Sequence, residues 1–463
     1  MRMSKAFMIL CCWLFASITL FAQPDNASVN ETKILQLYEK QLREGLSLRG
    51  MPASEIEKYM ARGKAGLSSI DDFTQELSHL YSSEKAGKIA VLLFFFNQDS
   101  LYRFFITPGQ LREKKVMACT KGQLERLNTD IYQALKIYEL SESRSPIKRG
   151  NVPLPRTPKN NVSLDKAIQN ATDILMPSGF DEQYKHLIIV PAFSIGAFPF
   201  QLLRPYKDNS FLVDKCSYSI APGLLDFMAV RKKILQTFRQ QDMYDIPDKV
   251  NFTLSNPLFI CNPAYPKNSP YVFPDLPGAK KEIAASLPYA RDYLLLEGIK
   301  ATKQNLLKHI RDADLLYLAT HAMSSETNPL DNNFLVLAGE SDPFFTSRNI
   351  MALRDTNVHD NYRFPEMVIL SACQTGLGKS MEAGITAGVA RSFLIAGARQ
   401  VLMSLWSVDD EATAYLMSRF IYHLKDPHEF LPSEPLRLAQ LDCRKKYPNP
   451  AHWASFSVYG VDY

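Results

Sequence analysis

Residues 314–322 read DLLYLATHA and residues 367–376 read MVILSACQTG, and these two stretches are the most informative of the sequence. Each contains a short apolar run of the kind found in a strand that a sheet buries on both faces. His321 follows the first run and Cys373 follows the second. Because the carboxyl ends of parallel strands meet at one edge of a sheet, and chemistry collects at that edge, we expect the two side chains to emerge together.

Comparable apolar runs alternate with helical patterns over much of the chain. Strands separated by helices need crossover connections, so the sequence predicts an α/β fold with a mainly parallel sheet flanked by helices. The predicted strands are 89–96, 101–107, 186–191, 257–261, 315–320, 334–338, 367–371 and 400–405. The predicted helices in this part of the chain are 120–140, 163–175, 280–285, 302–310, 382–396 and 410–423.

The amino terminus has the composition of an export signal. Arg2 and Lys5 precede an uncharged apolar stretch over residues 6–22, and Ala22 is a small residue suited to cleavage. Residues 1–22 are therefore a predicted signal peptide, and the mature protein is expected in the periplasm or outside a bacterial cell. The alternative is an uncleaved anchor, because the apolar stretch has about the minimum length that crosses a bilayer. No later stretch predicts a stable membrane span.

Three further parts follow the signal. Residues 23–84 show helical periodicity and predict a small helical segment, while residues 85–250 and 251–463 each combine strand and helix patterns. Within residues 85–250, the stretch 141–161 holds four prolines and five basic residues with little apolar periodicity. This composition predicts an exposed linker, where cleavage of the chain is easiest.

The overall composition excludes several classes of protein. With 46% hydrophobic and 22% charged residues, the chain of 463 residues has the balance of a globular protein, not of a disordered or fibrous one. Lys and Arg exceed Asp and Glu only by 53 to 48, so a nucleic-acid partner is not indicated. The histidines lack the spacing of metal ligands, and we expect no metal and no other cofactor. Cys11 and Cys12 fall in the signal, which leaves five of seven cysteines and at least one unpaired thiol.

His321 and Cys373 are the candidate catalytic pair. A free cysteine has a pKa of about 8.5, so an imidazole that removes the thiol proton produces the nucleophilic thiolate at neutral pH. The backbone N–H groups of Ala322 and Cys373 are the candidate oxyanion hole. Either side chain alone is more often a buried structural residue. Together, in the order histidine then cysteine and 52 residues apart, they match the spacing of caspase-type signatures.

Longer blocks of the sequence resemble the CHAT family, caspase-like cysteine peptidases of the clan that contains separase, gingipains and legumain. The blocks are HLIIVPAFSIGAFPFQLL (186–203), LPGAKKEI (276–283), LYLATHA (316–322), VILSACQTGLGKSMEAGITAGVARSFLIAGARQVLMSLWSVDDEAT (368–413) and HWASFSVYG (452–460). The resemblance implies a degenerate caspase-like half over residues 85–250 and a catalytic caspase-like half over residues 251–463. It also implies that His321 is the base and Cys373 the nucleophile of a peptidase.

Substrate recognition is less well determined by the sequence. The segment 404–413, SLWSVDDEAT, resembles the one in which separase places an aspartate that pairs with the basic residue before the scissile bond. On that resemblance Asp410, Asp409 and Trp406 are candidate substrate-binding residues, and Gln374 beside the thiol is a fourth. A carboxylate at the floor of a pocket selects Arg or Lys by charge and hydrogen bonding. The alternative is structural, because acidic residues at the start of a helix are stabilised by capping and by the helix dipole.

The sequence as a whole predicts an exported cysteine endopeptidase that hydrolyses polypeptides through a thioester. A preference for basic residues and self-processing in the basic linker 141–161 are the finer expectations. Two alternatives stay open: a catalytically silent scaffold or binding protein that keeps the fold, and a transpeptidase-type acyl transferase that resolves the thioester with an amine. Besides a polypeptide substrate, a regulatory protein is a candidate partner.

Overall fold

The computed structural model describes most of the chain. Cys373, Gln374, the predicted signal peptide and all of the predicted linker except Ile147–Lys148 lie outside the described residues. The described residues are 31–48, 53–64, 69–137, 147–148, 162–228, 230–232, 249–323, 325, 328–354, 364–371, 388–406 and 409–462.

The strands are short, and most coincide with the apolar runs of the sequence. They are β1 (Ile89–Asn97), β2 (Ser100–Thr107), β3 (Gln110–Ala118), β4 (Ile147–Lys148), β5 (His186–Val190), β6 (Ser217–Ile220), β7 (Leu258–Pro263), β8 (Tyr271–Val272), β9 (Leu294–Gly298), β10 (Leu315–Ala319), β11 (Ala322–Met323), β12 (Phe334–Val336), β13 (Phe344–Thr346), β14 (Met367–Leu370), β15 (Gln400–Ser404) and β16 (Phe456–Gly460).

Eleven of these strands form one large sheet in the order β3-β2-β1-β5-β6-β16-β15-β14-β10-β7-β9. The strands β1, β5 and β6 are parallel to one another, and so are β15, β14, β10, β7 and β9. Antiparallel pairs are confined to β1-β2-β3 and to β15-β16. The predicted α/β fold with a mainly parallel sheet is therefore confirmed.

Helices connect the parallel strands and cover the sheet. Several begin at capping residues, such as Ser163, Thr302 and Asp409, whose side chains accept hydrogen bonds from the first turn. The helices are α1 (Glu31–Leu48), α2 (Ala53–Lys64), α3 (Ile70–His79), α4 (Ser83–Ala86), α5 (Lys121–Ala134), α6 (Leu164–Leu175), α7 (Leu212–Lys215), α8 (Pro277–Ser286), α9 (Lys303–His309), α10 (Pro329–Asn332), α11 (Ser347–Met351), α12 (Val389–Ala396), α13 (Asp410–Leu424), α14 (Ser433–Lys446) and α15 (Pro450–Trp453).

The core lies on both faces of the sheet, and β1 shows why. Its sequence, IAVLLFFFN, is apolar at nearly every position, so both sets of alternating side chains must be buried. The odd-numbered residues 89–95 pack with residues of α1, α2 and α3. The even-numbered residues 90–96 pack with α5 and α6 in the main core. Burying one such side chain stabilises the folded chain by about 1.5–3 kcal/mol. Since α1, α2 and α3 cover one whole row of β1 side chains, these helices are part of the same folded unit.

Several predicted elements differ in the structure. The strand predicted at 334–338 exists as β12, but it belongs to a separate antiparallel sheet in the order β11-β12-β13. The strand β3 was not predicted, because its sequence is highly charged and its residues are largely exposed at the edge of the large sheet. Of the predicted linker, Ile147–Lys148 pairs with Tyr271–Val272 as a short antiparallel bridge.

Candidate functional site

His321 follows β10, the middle strand of the parallel run β15-β14-β10-β7-β9. β10 has β14 on one side and β7 on the other, and all five of its residues are buried. The chain leaves the sheet at Thr320, whose hydroxyl donates to the carbonyl oxygen of Val336. The backbone N–H of Val336 donates to the carbonyl oxygen of His321 at 2.9 Å. These bonds anchor the residue at the start of the small sheet.

The ring of His321 has a defined tautomer. Its Nε2 lies 2.7 Å from the carbonyl oxygen of Pro274, and because a carbonyl oxygen only accepts, Nε2 carries the proton. Nδ1 is then left with the lone pair in the neutral ring. The rings of Tyr265 and Phe273 lie beside the imidazole, with centroids 4.8 and 5.6 Å away. These contacts restrict the rotation of the imidazole.

Burial lowers the pKa of His321 below its ordinary value of 6.5, and the hydrogen bond to Pro274 only partly offsets this effect. The side chain is 2% exposed. At neutral pH the imidazole is therefore uncharged. An uncharged imidazole with a lone pair on Nδ1 can act as a general base.

The strand before the candidate nucleophile lies beside the strand before the histidine. β14 is parallel to β10, with Leu315 opposite Met367 and Leu318 opposite Leu370. This register has a constant offset of 52 residues, the same as the separation of His321 and Cys373 in the chain. The backbone N–H of Ser371 continues the pairing by donating to the Leu318 carbonyl oxygen at 3.0 Å. This described range ends at Ser371, two residues before Cys373. The contact between the His321 and Cys373 side chains therefore stays a prediction.

Ala322, the described member of the predicted oxyanion hole, lies in β11 opposite Leu335 of β12. Because the Val336 N–H bonds to the His321 carbonyl oxygen, the pair Ala322–Leu335 is a non-hydrogen-bonded pair of the antiparallel ladder. In such a pair the Ala322 N–H points away from β12. The predicted role in an oxyanion hole is compatible with this placement and stays a prediction.

The two neighbouring aspartates of the segment 404–413 have different environments. The Asp409 carboxylate accepts hydrogen bonds from the backbone N–H groups of Glu411 and Ala412, at 3.0 and 3.1 Å, and caps α13. The Asp410 carboxylate instead lies against Gly278 at the start of α8, so closely that a Cβ at Gly278 would overlap it. Pro274, which holds His321, is four residues before Gly278. His321 and Asp410 therefore contact the same short segment, 274–278.

Trp406 lies in the core. Its side chain is 1% exposed, its indole N–H donates to the Ala451 carbonyl oxygen at 2.9 Å, and its ring meets Tyr132 edge-on at 5.3 Å. In this conformation the indole packs between elements and is not presented to a ligand. Its predicted role in binding substrate is not favoured by this placement. Gln374, the other candidate, lies outside the described residues.

A CHAT domain model matches residues 165–461, which is more than half of the chain. The chain belongs to the CHAT domain family. Tetratricopeptide repeat protein 28 of Homo sapiens is 24% identical to it over 492 residues, covering 98% of this chain and 19% of the relative. The protein of the same name in Mus musculus is 22% identical over 355 residues, covering 69% of this chain and 14% of the relative. The chain thus spans about a fifth, or less, of the length of these relatives.

Solved structures of similar fold include members of the caspase-like clan. The separase-securin complex of Saccharomyces cerevisiae aligns with a TM-score of 0.52 at 13% identity, covering 94% of this chain and 34% of the matched chain. The Arg-specific cysteine proteinase gingipain R aligns with a TM-score of 0.41 at 11% identity, covering 82% of this chain and 78% of the matched chain. At 13% identity, the similarity to the separase complex concerns the fold and not the function. It agrees with the large, mainly parallel sheet of this CHAT domain.

Sequence reasoning missed two features of the site. Pro274 acts through a backbone carbonyl, and a main-chain atom leaves no signature in a pattern of side chains. Glu282 is a carboxylate on α8 that is only 5% exposed, between the ends of the central strands. The signal available in the sequence was that Glu282 is the single acidic residue of the block LPGAKKEI (276–283) and lies next to the apolar Ile283. A carboxylate on the side of a helix that faces a sheet needs polar partners there.

The other cysteines in the described part of the chain are unlike a nucleophile. Each is buried and carries a free thiol. Burial raises the pKa of Cys261 and Cys443 to about 12, and it raises the pKa of Cys119 and Cys216 as well. These thiols stay protonated at neutral pH and are poor nucleophiles.

Among the described residues, groups of three or more His, Cys, Asp or Glu side chains that could hold a metal ion are absent. None of the helices within these same ranges combines the length and the apolar composition that crossing a membrane requires.

Proposed function

We propose that this CHAT domain is a cysteine endopeptidase with His321 as general base and Cys373 as nucleophile. The observation that carries the proposal is the hydrogen bond between His321 Nε2 and the Pro274 carbonyl oxygen, 2.7 Å long. This bond keeps the proton on Nε2 and leaves Nδ1 free to act as a base. His321 follows β10, and the neighbouring strand β14 leads to Cys373. The matching offset of 52 residues supports the pairing of the two side chains.

The reaction follows from these roles. His321 Nδ1 takes the thiol proton, and the Cys373 thiolate attacks the carbonyl carbon of the peptide. The oxyanion accepts hydrogen bonds from the N–H groups of Ala322 and Cys373. The imidazolium then protonates the leaving amine as the C–N bond breaks, which leaves a thioester. A water molecule, deprotonated by His321, attacks the thioester and releases the acid, and the thiol regains its proton.

A basic residue before the scissile bond is the preferred substrate feature in this proposal. Asp410 supports it, because its partly exposed carboxylate lies on the segment 274–278 that also holds His321. An Arg or Lys side chain there would form charge-assisted hydrogen bonds with the carboxylate. The Asp409 carboxylate caps α13, which favours a structural role for this residue over substrate binding.

The basic linker is the proposed internal substrate. Ile147–Lys148 pairs with Tyr271–Val272, and Phe273, the next residue, contacts the ring of His321. This pairing brings the linker near the candidate site, with Lys148 and Arg149 as basic residues next to candidate bonds. Export to the periplasm or beyond is also part of the proposal, and it rests on the leader at residues 1–22.

The test is a peptide-library digest with the wild type, Cys373→Ala and His321→Ala, combined with the intact mass of each protein. We expect cleavage after Arg or Lys and a wild-type chain cut in the linker, with both activities lost in the two variants. Products that carry an added amine in place of water would identify an acyl transferase. A wild type that cleaves nothing would contradict the proposal and leave a scaffold as the function.

A further inference from the structure

A buried carboxylate bridges the two central strands just before their catalytic ends. Glu282 on α8 is 5% exposed. Its Oε1 accepts a hydrogen bond from the hydroxyl of Tyr317 on β10. Its Oε2 accepts one from the hydroxyl of Ser371, the residue after β14, at 2.8 Å. A single side chain thus joins one helix and two strands.

The positions of these partners relate the bridge to the candidate dyad. Tyr317 is four residues before His321, and Ser371 is two residues before Cys373. Ser371 is also held by its backbone N–H, which donates to the Leu318 carbonyl oxygen. The bridge therefore fixes β14 relative to β10 at the point where the chain leaves the sheet toward the cysteine.

The helix that carries Glu282 is connected to the other half of the dyad as well. α8 begins at Pro277, three residues after Pro274, whose carbonyl oxygen accepts the hydrogen bond from His321 Nε2. One continuous segment, 274–286, thus contacts the imidazole at one end and the strand leading to the thiol at the other. A displacement of this segment would alter both partners of the proposed proton transfer.

A carboxyl group suits this task for a chemical reason. Each of its two oxygens accepts from a different hydroxyl, so both hydroxyl groups are oriented at once. An apolar side chain of similar volume would fill the same space at a lower desolvation cost, but it would orient neither. A buried carboxylate between two strands that both lead to reactive groups therefore indicates a role beyond packing.

We propose that Glu282 is a positioning residue that sets the approach of Cys373 to His321 through Ser371 and Tyr317. This inference rests on the proposed function, since it concerns the geometry of that same dyad. Misplacement of reacting groups by about 1 Å costs about 100-fold in rate, whereas substrate binding elsewhere is unaffected. The expected signature is thus a loss in kcat with little change in KM.

The test measures kcat and KM for a basic peptide with Glu282→Ala, Glu282→Gln, Ser371→Ala and the control Ile283→Val. Ile283 is the adjacent buried residue of α8, and the control loosens the same helix without touching the carboxylate. We expect kcat to fall about 100-fold in Glu282→Ala and about tenfold in Ser371→Ala. In Glu282→Gln the amide still bonds both hydroxyls, so kcat stays within about fivefold. KM stays within about twofold throughout, and the control keeps wild-type kinetics.

Two results would overturn the inference without touching the proposed function. One is an active wild type with an equally active Glu282→Ala. The other is an equal loss of kcat in Glu282→Ala, Glu282→Gln and Ile283→Val, which would show a purely structural role. A wild type without hydrolysis would instead contradict the proposed function itself, and with it this inference.

Discussion

At the scale of single residues, the neighbours of His321 determine which ring nitrogen carries the proton and whether the ring is charged. The Pro274 carbonyl oxygen holds the proton on Nε2, and burial keeps the ring neutral by lowering its pKa. The two effects serve different needs, since one orients the base and the other keeps it unprotonated. Neither effect involves a charged partner.

The first prediction concerns pH. Protonation of His321 removes the lone pair that accepts the thiol proton, so kcat/KM falls as the pH falls through the pKa of the imidazole. Because that pKa is lowered from 6.5, we expect the acid limb of the profile to be centred below pH 6.5. Initial rates with a basic peptide from about pH 4.5 to about pH 8 measure it. An acid limb centred above pH 6.5 would show that the base is not in the environment described.

A second prediction concerns specificity. Asp410→Asn removes the charge from the partly exposed carboxylate next to Gly278. We expect kcat/KM to fall about 10- to 100-fold for peptides with Arg or Lys before the scissile bond and to change little for a peptide with a neutral residue there. The control is Glu411→Gln. Glu411 is the next residue, and its exposed carboxylate forms an ion pair with Lys281. Equal losses for basic and neutral peptides would assign Asp410 a structural role.

Part of the site was predictable from the residues. His321 and Cys373 could be named as candidates because each follows an apolar run, and the 52 residues between them equal the offset in the register of β10 and β14. The difference between Asp409 and Asp410 was not predictable, because it depends on which carboxylate turns toward its own helix and which toward α8. The contact with Pro274 depends on tertiary packing of a backbone atom, and no local pattern encodes it.

At the scale of elements, Trp406 shows how β15 is joined to the end of the chain. The indole follows β15 and bonds to the carbonyl oxygen of Ala451 in α15. The N–H of Leu405 donates to the Ser455 carbonyl oxygen just before β16. Together these bonds hold the end of β15 against α15 and the start of the last strand.

The third prediction separates this packing role from substrate binding. Trp406→Phe removes the indole N–H and leaves the buried carbonyl oxygen of Ala451 without its donor. We expect the free energy of unfolding to fall by about 1–3 kcal/mol, with KM for a basic peptide unchanged. Urea unfolding and peptide kinetics measure the two effects. A tenfold rise in KM at unchanged stability would restore Trp406 as a substrate-binding residue.

Strands differ in how clearly their sequences indicate them, for physical reasons. β10, β14 and β15 were predicted because strands buried on both faces are apolar throughout. β6, with the sequence SYSI, was not predicted, since its serines are polar and bond to His186 instead of forming an apolar run. The strand nature of β12 was visible in the sequence, but its membership of the small sheet depends on pairing with distant residues.

At the scale of the whole molecule, a buried polar cluster joins distant parts of the chain. His186 on β5 lies 3.5 Å from the carboxylate of Asp462, after the last strand. Ser433 on α14 donates to the same carboxylate. Arg231 bonds to the Asp462 carbonyl oxygen at 2.9 Å and to the Leu80 carbonyl oxygen at 3.0 Å. The cluster therefore connects the N-terminal helices, the first strands and the carboxyl end.

The fourth prediction uses the pH dependence of this cluster. Burial lowers the pKa of His186 to about 3 and raises the pKa of Asp462 to about 7. For His186 alone, the unfolded chain binds more protons between about pH 3 and 6.5, so its contribution to stability falls as the pH falls. For Asp462 alone, the folded chain binds more protons between 3.8 and about 7, so its contribution falls as the pH rises. The two contributions offset each other in the wild type.

Asp462→Asn removes one of these opposing effects. We expect its stability, relative to that of the wild type, to decrease by up to about 1.4 kcal/mol per pH unit as the pH falls from about 7 toward 3.8, the range over which the folded wild type takes up the Asp462 proton. Urea unfolding of both proteins between about pH 4.5 and about pH 7 measures the difference, in which other titrating groups cancel. A difference that stays constant with pH would contradict the account of this pair.

The most direct test of the central claim is the rate at which iodoacetamide labels Cys373, followed by peptide mass mapping as a function of pH. In the wild type we expect rapid labelling that persists below the ordinary thiol pKa of about 8.5, and in His321→Ala we expect this reactivity to be lost. The buried thiols of Cys119, Cys216, Cys261 and Cys443 serve as internal controls that stay unlabelled. Slow labelling of Cys373 at the same rate in both proteins, increasing only near or above pH 8.5, would contradict the claim that His321 activates it.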